Sequence, residues 1–280
     1  MQSSPRQKIF CSRLSAFQPS TFNYLICIFG KTNFKMKRLL IVFAFVFSLA
    51  SCTFTEEITI NPDGTGKYDL NMDGSALMAM MPKDSSANAK NVDSVFSFKQ
   101  LFDAKKDSIA KLPSDQQAKI KKLENFNMRM KMNYDSKEFL FNMNTNFKSV
   151  SELQNVMNDL AELQKMGKGS AQNNPMGGLD ALSGNGSQIK YNYDGKKFVR
   201  KATIDKEALK KISTDSMDAY KAVFESSKYV IKYHFPKAVK KVSNKTALFS
   251  EDKKTITIEY PFNEYVNEPE KLNFEVEFVK

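Results

Sequence analysis

No tryptophan, a single histidine and three cysteines stand in 280 residues, and each scarcity closes off a class of chemistry. The one histidine, His234, lies between Tyr233 and Phe235 with Lys232 two residues back, which puts it on the polar face of a strand. One histidine supports neither a zinc cluster nor, with no nucleophile motif nearby, a triad. Gly-x-Ser-x-Gly, His-Glu-x-x-His and Walker sequences are all missing. The expectation is a protein that is not an enzyme and holds no metal or cofactor. Acidic residues are absent from the first 51 positions, which hold seven basic ones (Arg6, Lys8, Arg13, Lys31, Lys35, Lys37, Arg38). The remaining chain keeps 35 Lys and Arg against 31 Asp and Glu, so its net charge is +4 rather than the +11 of the whole. Its lysines are scattered among acids, and nucleic acid is set aside as a partner. No apolar run reaches the roughly 20 residues of a membrane span.

What is present begins with an address. Met36 is followed by Lys37-Arg38, an unbroken apolar stretch from Leu39 to Phe47, and then Ser48-Leu49-Ala50-Ser51-Cys52. A basic start, a short apolar segment and small residues before a cut site make a secretory signal. Leu49-Ala50-Ser51-Cys52 resembles the lipobox of bacterial lipoproteins, including those of Bacteroidetes. That resemblance implies diacylglycerol on the Cys52 thiol, cleavage before it, and a protein held on the membrane of a bacterial cell envelope, with the outer membrane as expected destination. On this reading residues 1–35 are an upstream, non-native extension, 36–51 are the signal peptide, and 52–280 form a single domain. Cys11 and Cys27 are lost on processing and Cys52 carries lipid, so no disulfide or cysteine nucleophile is expected. Thr53-Phe54-Thr55 leaves almost no tether before strand-like residues begin.

Hydrophobic period then organises the domain. Ile58 and Ile60 alternate with polar residues, Asn61-Pro62-Asp63-Gly64-Thr65-Gly66 turns, and Tyr68, Leu70 and Met72 alternate again, which predicts a β-hairpin. Ala76 to Met81 follows as a short helix halted at Pro82. The same order recurs: Phe126 to Tyr134, a turn at Asp135-Ser136-Lys137, Phe139 to Phe147, and a helix over 150–165. It recurs once more with Ile189 to Tyr193, a turn at Asp194-Gly195, Phe198 to Ile204, and a helix over 205–224. Segment 92–123 reads as helical with a break at Pro113, 83–91 as a linker, and 166–187, rich in Gly, Asn and Ser, as a mobile loop. Strands at 229–235, 247–249, 256–260 and 272–278 close the chain.

These patterns predict an α+β fold: one twisted antiparallel sheet built from repeated strand-strand-helix units, with the helices packed on its apolar face. Arg129, Lys131, Asn133, Glu275 and Glu277 mark the wet face. The closing segment, from Tyr229 through Phe235-Pro236 and Lys253-Lys254-Thr255-Ile256-Thr257-Ile258 to Phe278, resembles the LppM-like domain of envelope lipoproteins, as does the hairpin from Ile58 to Asp73. The resemblance implies a lipid-contacting envelope domain without catalysis; the central insert from Asp84 to Leu123 departs from it.

Among candidate sites, Met128, Met130, Met132 and Met143 offer the soft, adaptable surface that holds acyl chains, although core methionines in a low-GC genome read the same way. Asn61, Asp63, Asp69 and Asp73 lack the ordered spacing and closing Glu of a calcium loop and read as turn chemistry. Glu56 and Glu57 are adjacent on a strand, point to opposite faces and do not form a paired acid site. Asp93-Ser94-Val95, Asp107-Ser108-Ile109 and Asp215-Ser216-Met217 resemble the O-glycan acceptor of Bacteroidetes envelope proteins, and helix-capping chemistry accounts for such triplets equally. Two functions stay open: an envelope scaffold or interaction domain that meets a protein partner, and a module that shelters a lipid or other apolar ligand.

Overall fold

The computed structural model of the chain describes residues 51–80, 90–156, 159–160, 187–204 and 225–280. The strands are β1 (Thr53–Ile60), β2 (Gly66–Asp73), β3 (Val92–Ser97), β4 (Asn127–Asn133), β5 (Glu138–Phe147), β6 (Ser187–Tyr193), β7 (Lys197–Ile204), β8 (Lys228–His234), β9 (Val239–Val242), β10 (Leu248–Phe249), β11 (Thr255–Pro261) and β12 (Phe274–Phe278). The helices are short: α1 (Ser75–Met80), α2 (Phe98–Asp103), α3 (Lys106–Ile109), α4 (Ser114–Leu123) and α5 (Phe262–Asn267). No helix among the described residues is long and apolar enough to cross a membrane.

The hairpins form where alternation and turn chemistry predict them. Asp63 Oδ1 accepts from the Thr65 amide at 3.0 Å and its hydroxyl at 2.7 Å, and Gly64 takes φ +84°, so the β1–β2 turn is a self-contained side-chain and backbone knot. At Gly66 the need is for space: a Cβ there would run into the Thr59 carbonyl oxygen and the Phe147 ring.

The mixture of strands and short helices fits α+β, but the single antiparallel sheet does not stand. Among the described residues there are two sheets, one ordered β10-β11-β8-β1-β2-β5-β4-β3 and one ordered β6-β7-β12-β9. One pair, β1 with β8, is parallel, Glu56 lying opposite Ile231. The third hairpin, β6–β7, belongs to the second sheet, so the hairpins are not copies of one unit stacked side by side. Nor do helices alone cover the apolar face. Rings from the two sheets meet directly: Phe198 lies 5.3 Å from Tyr233, and Tyr233 lies 5.7 Å from Phe274. Two one-sided sheets bury their apolar faces against each other more completely than short helices could.

Three element boundaries also differ. Residues 92–97 are an edge strand rather than the start of a helix; they pair with β4, and helix resumes at Phe98, capped by the Ser97 hydroxyl 3.2 Å from the Gln100 amide. The second hairpin runs into a 3-10 turn, Val150–Leu153, and the helix expected over 150–165 begins later, at Val156. Ser187, expected to end a loop, opens β6. The rest of that loop, the helix over 205–224, most of the linker at 83–91 and everything before residue 51 lie outside the described residues.

Candidate functional site

β1 carries both candidate clusters, one on each face. Its burial alternates strictly, with Phe54, Glu56, Ile58 and Ile60 facing inward and Glu57 outward. The expected separation of Glu56 from Glu57 therefore holds, and Glu56 is the one that enters the core, only 1% exposed.

An isolated carboxylate there would be strongly destabilising, and the fold answers it with a full set of donors. Oε1 accepts from Tyr191 Oη at 2.7 Å and from Tyr233 Oη; Oε2 accepts from Tyr229 Oη at 2.5 Å and from Arg200 Nη2 at 3.3 Å. Tyr229 and Tyr233 sit on β8 on either side of Ile231, the residue opposite Glu56. Tyr191 and Arg200 are a facing pair on β6 and β7, in the other sheet. The cluster thus ties the two sheets together. Arg200, also 1% exposed, places Nη1 3.1 Å from the Leu272 carbonyl oxygen, while its Nε finds no acceptor among the described residues. Burial alone would push the Glu56 carboxyl up, but the Arg200 charge and the three phenols outweigh it and hold it below its usual range. Burial and the Glu56 charge together drive the Tyr191, Tyr229 and Tyr233 phenols far upward, so all three remain neutral donors. Stacked rings extend the cluster: Tyr229 lies parallel to Tyr265 at 4.1 Å, and Phe54 to Phe262 at 4.2 Å.

Sequence reasoning passed over this cluster, and a signal for it existed. Glu56 shares strand parity with Phe54, Ile58 and Ile60, and Arg200 with Phe198 and Ala202; an acid and a base each written into an apolar face are candidates for a buried pair.

On the outer face, His234 Nε2 lies 2.6 Å from Glu57 Oε1 and its Nδ1 lies 2.9 Å from Thr255 Oγ1, with Lys232 Nζ 3.2 Å from the same Glu57 oxygen. Partial burial raises and these basic neighbours lower the Glu57 carboxyl, and lowering wins. Hydroxyl, imidazole and carboxylate in line have the composition of a proton relay. Here they stand on three adjacent strands, β11, β8 and β1, as a cross-strand polar ladder, and the Thr255 amide is taken by Ser250 Oγ at 2.9 Å.

Cys52 is fully buried just ahead of β1; its amide donates to Ser227 Oγ at 3.1 Å and its carbonyl accepts from the Lys228 amide at 3.1 Å. Burial raises its thiol, which lies against the backbone of Leu77 and the Ser227 side chain. Met128, Met130 and Met143 are buried and Met132 is half-buried; Met128 lies opposite Met143, and these two, unlike Met130 and Met132, belong to the core cluster that also holds Phe98, Leu123 and Phe126. Among the described residues no group of three or more His, Cys, Asp or Glu could hold a metal ion. Of the Asp-Ser triplets, Asp93 is paired with Arg129 at 3.2 Å on edge strand β3, Asp107 opens α3, and Asp215 lies outside the described residues.

No protein-family model matches the chain, and no curated protein does. A solved structure that it resembles is the NMR structure of the folded domain of LppM from Mycobacterium tuberculosis, with a TM-score of 0.37 and 9% identity over 82% of this chain and 91% of that one. At that level neither the function nor the contacts of LppM pass to this chain.

Proposed function

We propose that the chain is a lipid-anchored protein of a bacterial cell envelope, with the outer membrane as its destination, whose folded part is a non-catalytic scaffold that meets an envelope partner. The signal pattern from Met36 to Cys52 supports the anchor. The observation that carries the scaffold reading is the Glu56–Arg200 cluster. It occupies the middle of the inter-sheet core, where a carrier with this architecture would lodge an apolar ligand, and surrounds that place with interlocked rings. An acyl chain between the sheets would have to displace rings and lie against a buried ion pair. The carrier reading keeps one support, the adaptable surface of Met128, Met130, Met132 and Met143.

Native mass spectrometry of the protein taken from membranes tests both halves. A polypeptide beginning at Cys52 with covalent acyl mass and no further ligand is the expected result. An unmodified Cys52 would sink the anchor, and an additional noncovalent lipid would replace the scaffold with a carrier.

A further inference from the structure

The lipid anchor proposed for Cys52 has a structural neighbour, and it is α1. Cys52 lies just ahead of β1, at the end of the large sheet where α1 begins. The strand registers set the two at one end of the large sheet: Lys228 lies opposite Thr53, Thr53 opposite Asp73, and Asp73 opposite Leu140, while α1 starts two residues beyond Asp73. The other end of the same strands carries Thr59, His234 and Thr255 and the turn after Phe249.

Apolar side chains are exposed at the α1 end, as they also are at Leu248 and Phe249 on edge strand β10. α1 reads Ser-Ala-Leu-Met-Ala-Met, without a charge, and only Met78 of its residues is buried. Met80 is 52% exposed, Ala79 is exposed, and Leu140 on the neighbouring strand is 37% exposed. Lys137, without an ion pair among the described residues, places its ammonium 3.2 Å from the Ala79 carbonyl oxygen, at the end of the helix. Resting on the lipoprotein reading, we infer that α1 is a membrane-contact element: it lies on the bilayer that holds the Cys52 lipid, with Ala79 and Met80 at the boundary between headgroups and acyl chains and Lys137 among anionic headgroups. Chain length enforces the arrangement. β1 starts at Thr53, and one residue spans at most about 3.6 Å, too little to lift this end clear of the headgroup layer. An apolar patch of this kind on an ordinary surface would be an unfavourable exposure; beside a lipid it is buried by the membrane. The Cys52 side chain is fully buried, so a lipid on its sulfur has to displace the groups that cover it, the Leu77 backbone and the Ser227 side chain among them.

The absence of tryptophan makes the test clean. Met80→Trp and Ala79→Trp place single reporters on α1, and Glu251→Trp places one in the exposed turn at the opposite end. The full chain is expressed with its signal, purified in lipidated form, and returned to vesicles of phosphatidylethanolamine and phosphatidylglycerol containing brominated acyl chains. Loss of most of the emission at positions 79 and 80, with position 251 unchanged, is the expected result. Equal emission at both ends in protein whose mass shows the lipid overturns the contact and leaves the anchor standing. Protein without lipid mass overturns both.

Discussion

Glu56 is worth more to the fold than any exposed charge, because its surroundings admit no water to replace a lost partner. Glu56→Gln keeps an acceptor for the tyrosines but leaves Arg200 as an uncompensated buried cation, and it should cost about 3–5 kcal/mol in urea unfolding. The double variant Glu56→Gln/Arg200→Met removes that cation while the introduced amide still accepts from the phenols. It should therefore be more stable than Glu56→Gln alone; losses that simply add would show that the two residues do not act on each other. The sign of the pH dependence follows from the depressed carboxyl. A group held below its ordinary 4.5 contributes stability that is fully present above that value and lost as the pH falls through the folded-state value. The stability gap between the parent protein and Glu56→Gln should then close in acid. A gap that stayed constant down to acid unfolding would mean that Glu56 is not ionised in the fold. Glu57, shifted the same way by His234 and Lys232, acts in the same direction, weakened by solvent.

Strand pairing decides the outcome at the level of elements, and two positions read it out. Gly66→Ala has no room between the Thr59 carbonyl and the Phe147 ring, so it should lower the melting temperature sharply, whereas Gly195→Ala, with open space around it, should show only the strain of a positive φ. Met130, 6% exposed on β4, should cost about 2–5 kcal/mol when replaced by Ala if the space around it is solid core. A near-parent melting temperature for Met130→Ala with altered bound lipid would favour a chamber. The hairpins were legible because alternation and turn residues agree locally, as at Asn61 to Gly66. Residues 92–97 were not, because β3 is an edge strand with no buried side chain, and its Val92, Val95 and Phe96 fall by coincidence at helical spacing.

For the molecule as a whole, alternation told which residues face a core but not which strands share a sheet. Nothing local in Tyr229 to His234 says that β8 returns beside β1 in parallel, or that β6, β7, β9 and β12 form a second sheet. Those pairings are long-range and emerge only when the two apolar faces close on each other. The same closure brings Arg200 to Glu56 across 144 residues, so the buried cluster was legible as two misplaced charges but not as a pair. The proposed anchor is read from sequence alone, since the signal pattern and its cysteine are contiguous. Cys52→Ser tests it most directly, because lipid attachment needs the thiol and a serine preserves the strand start. Membrane fractionation of cells making each form should find the parent protein in the pellet even after high salt, and Cys52→Ser cleared of the pellet. A Cys52→Ser chain that still sediments with membranes after its signal is removed would contradict the account.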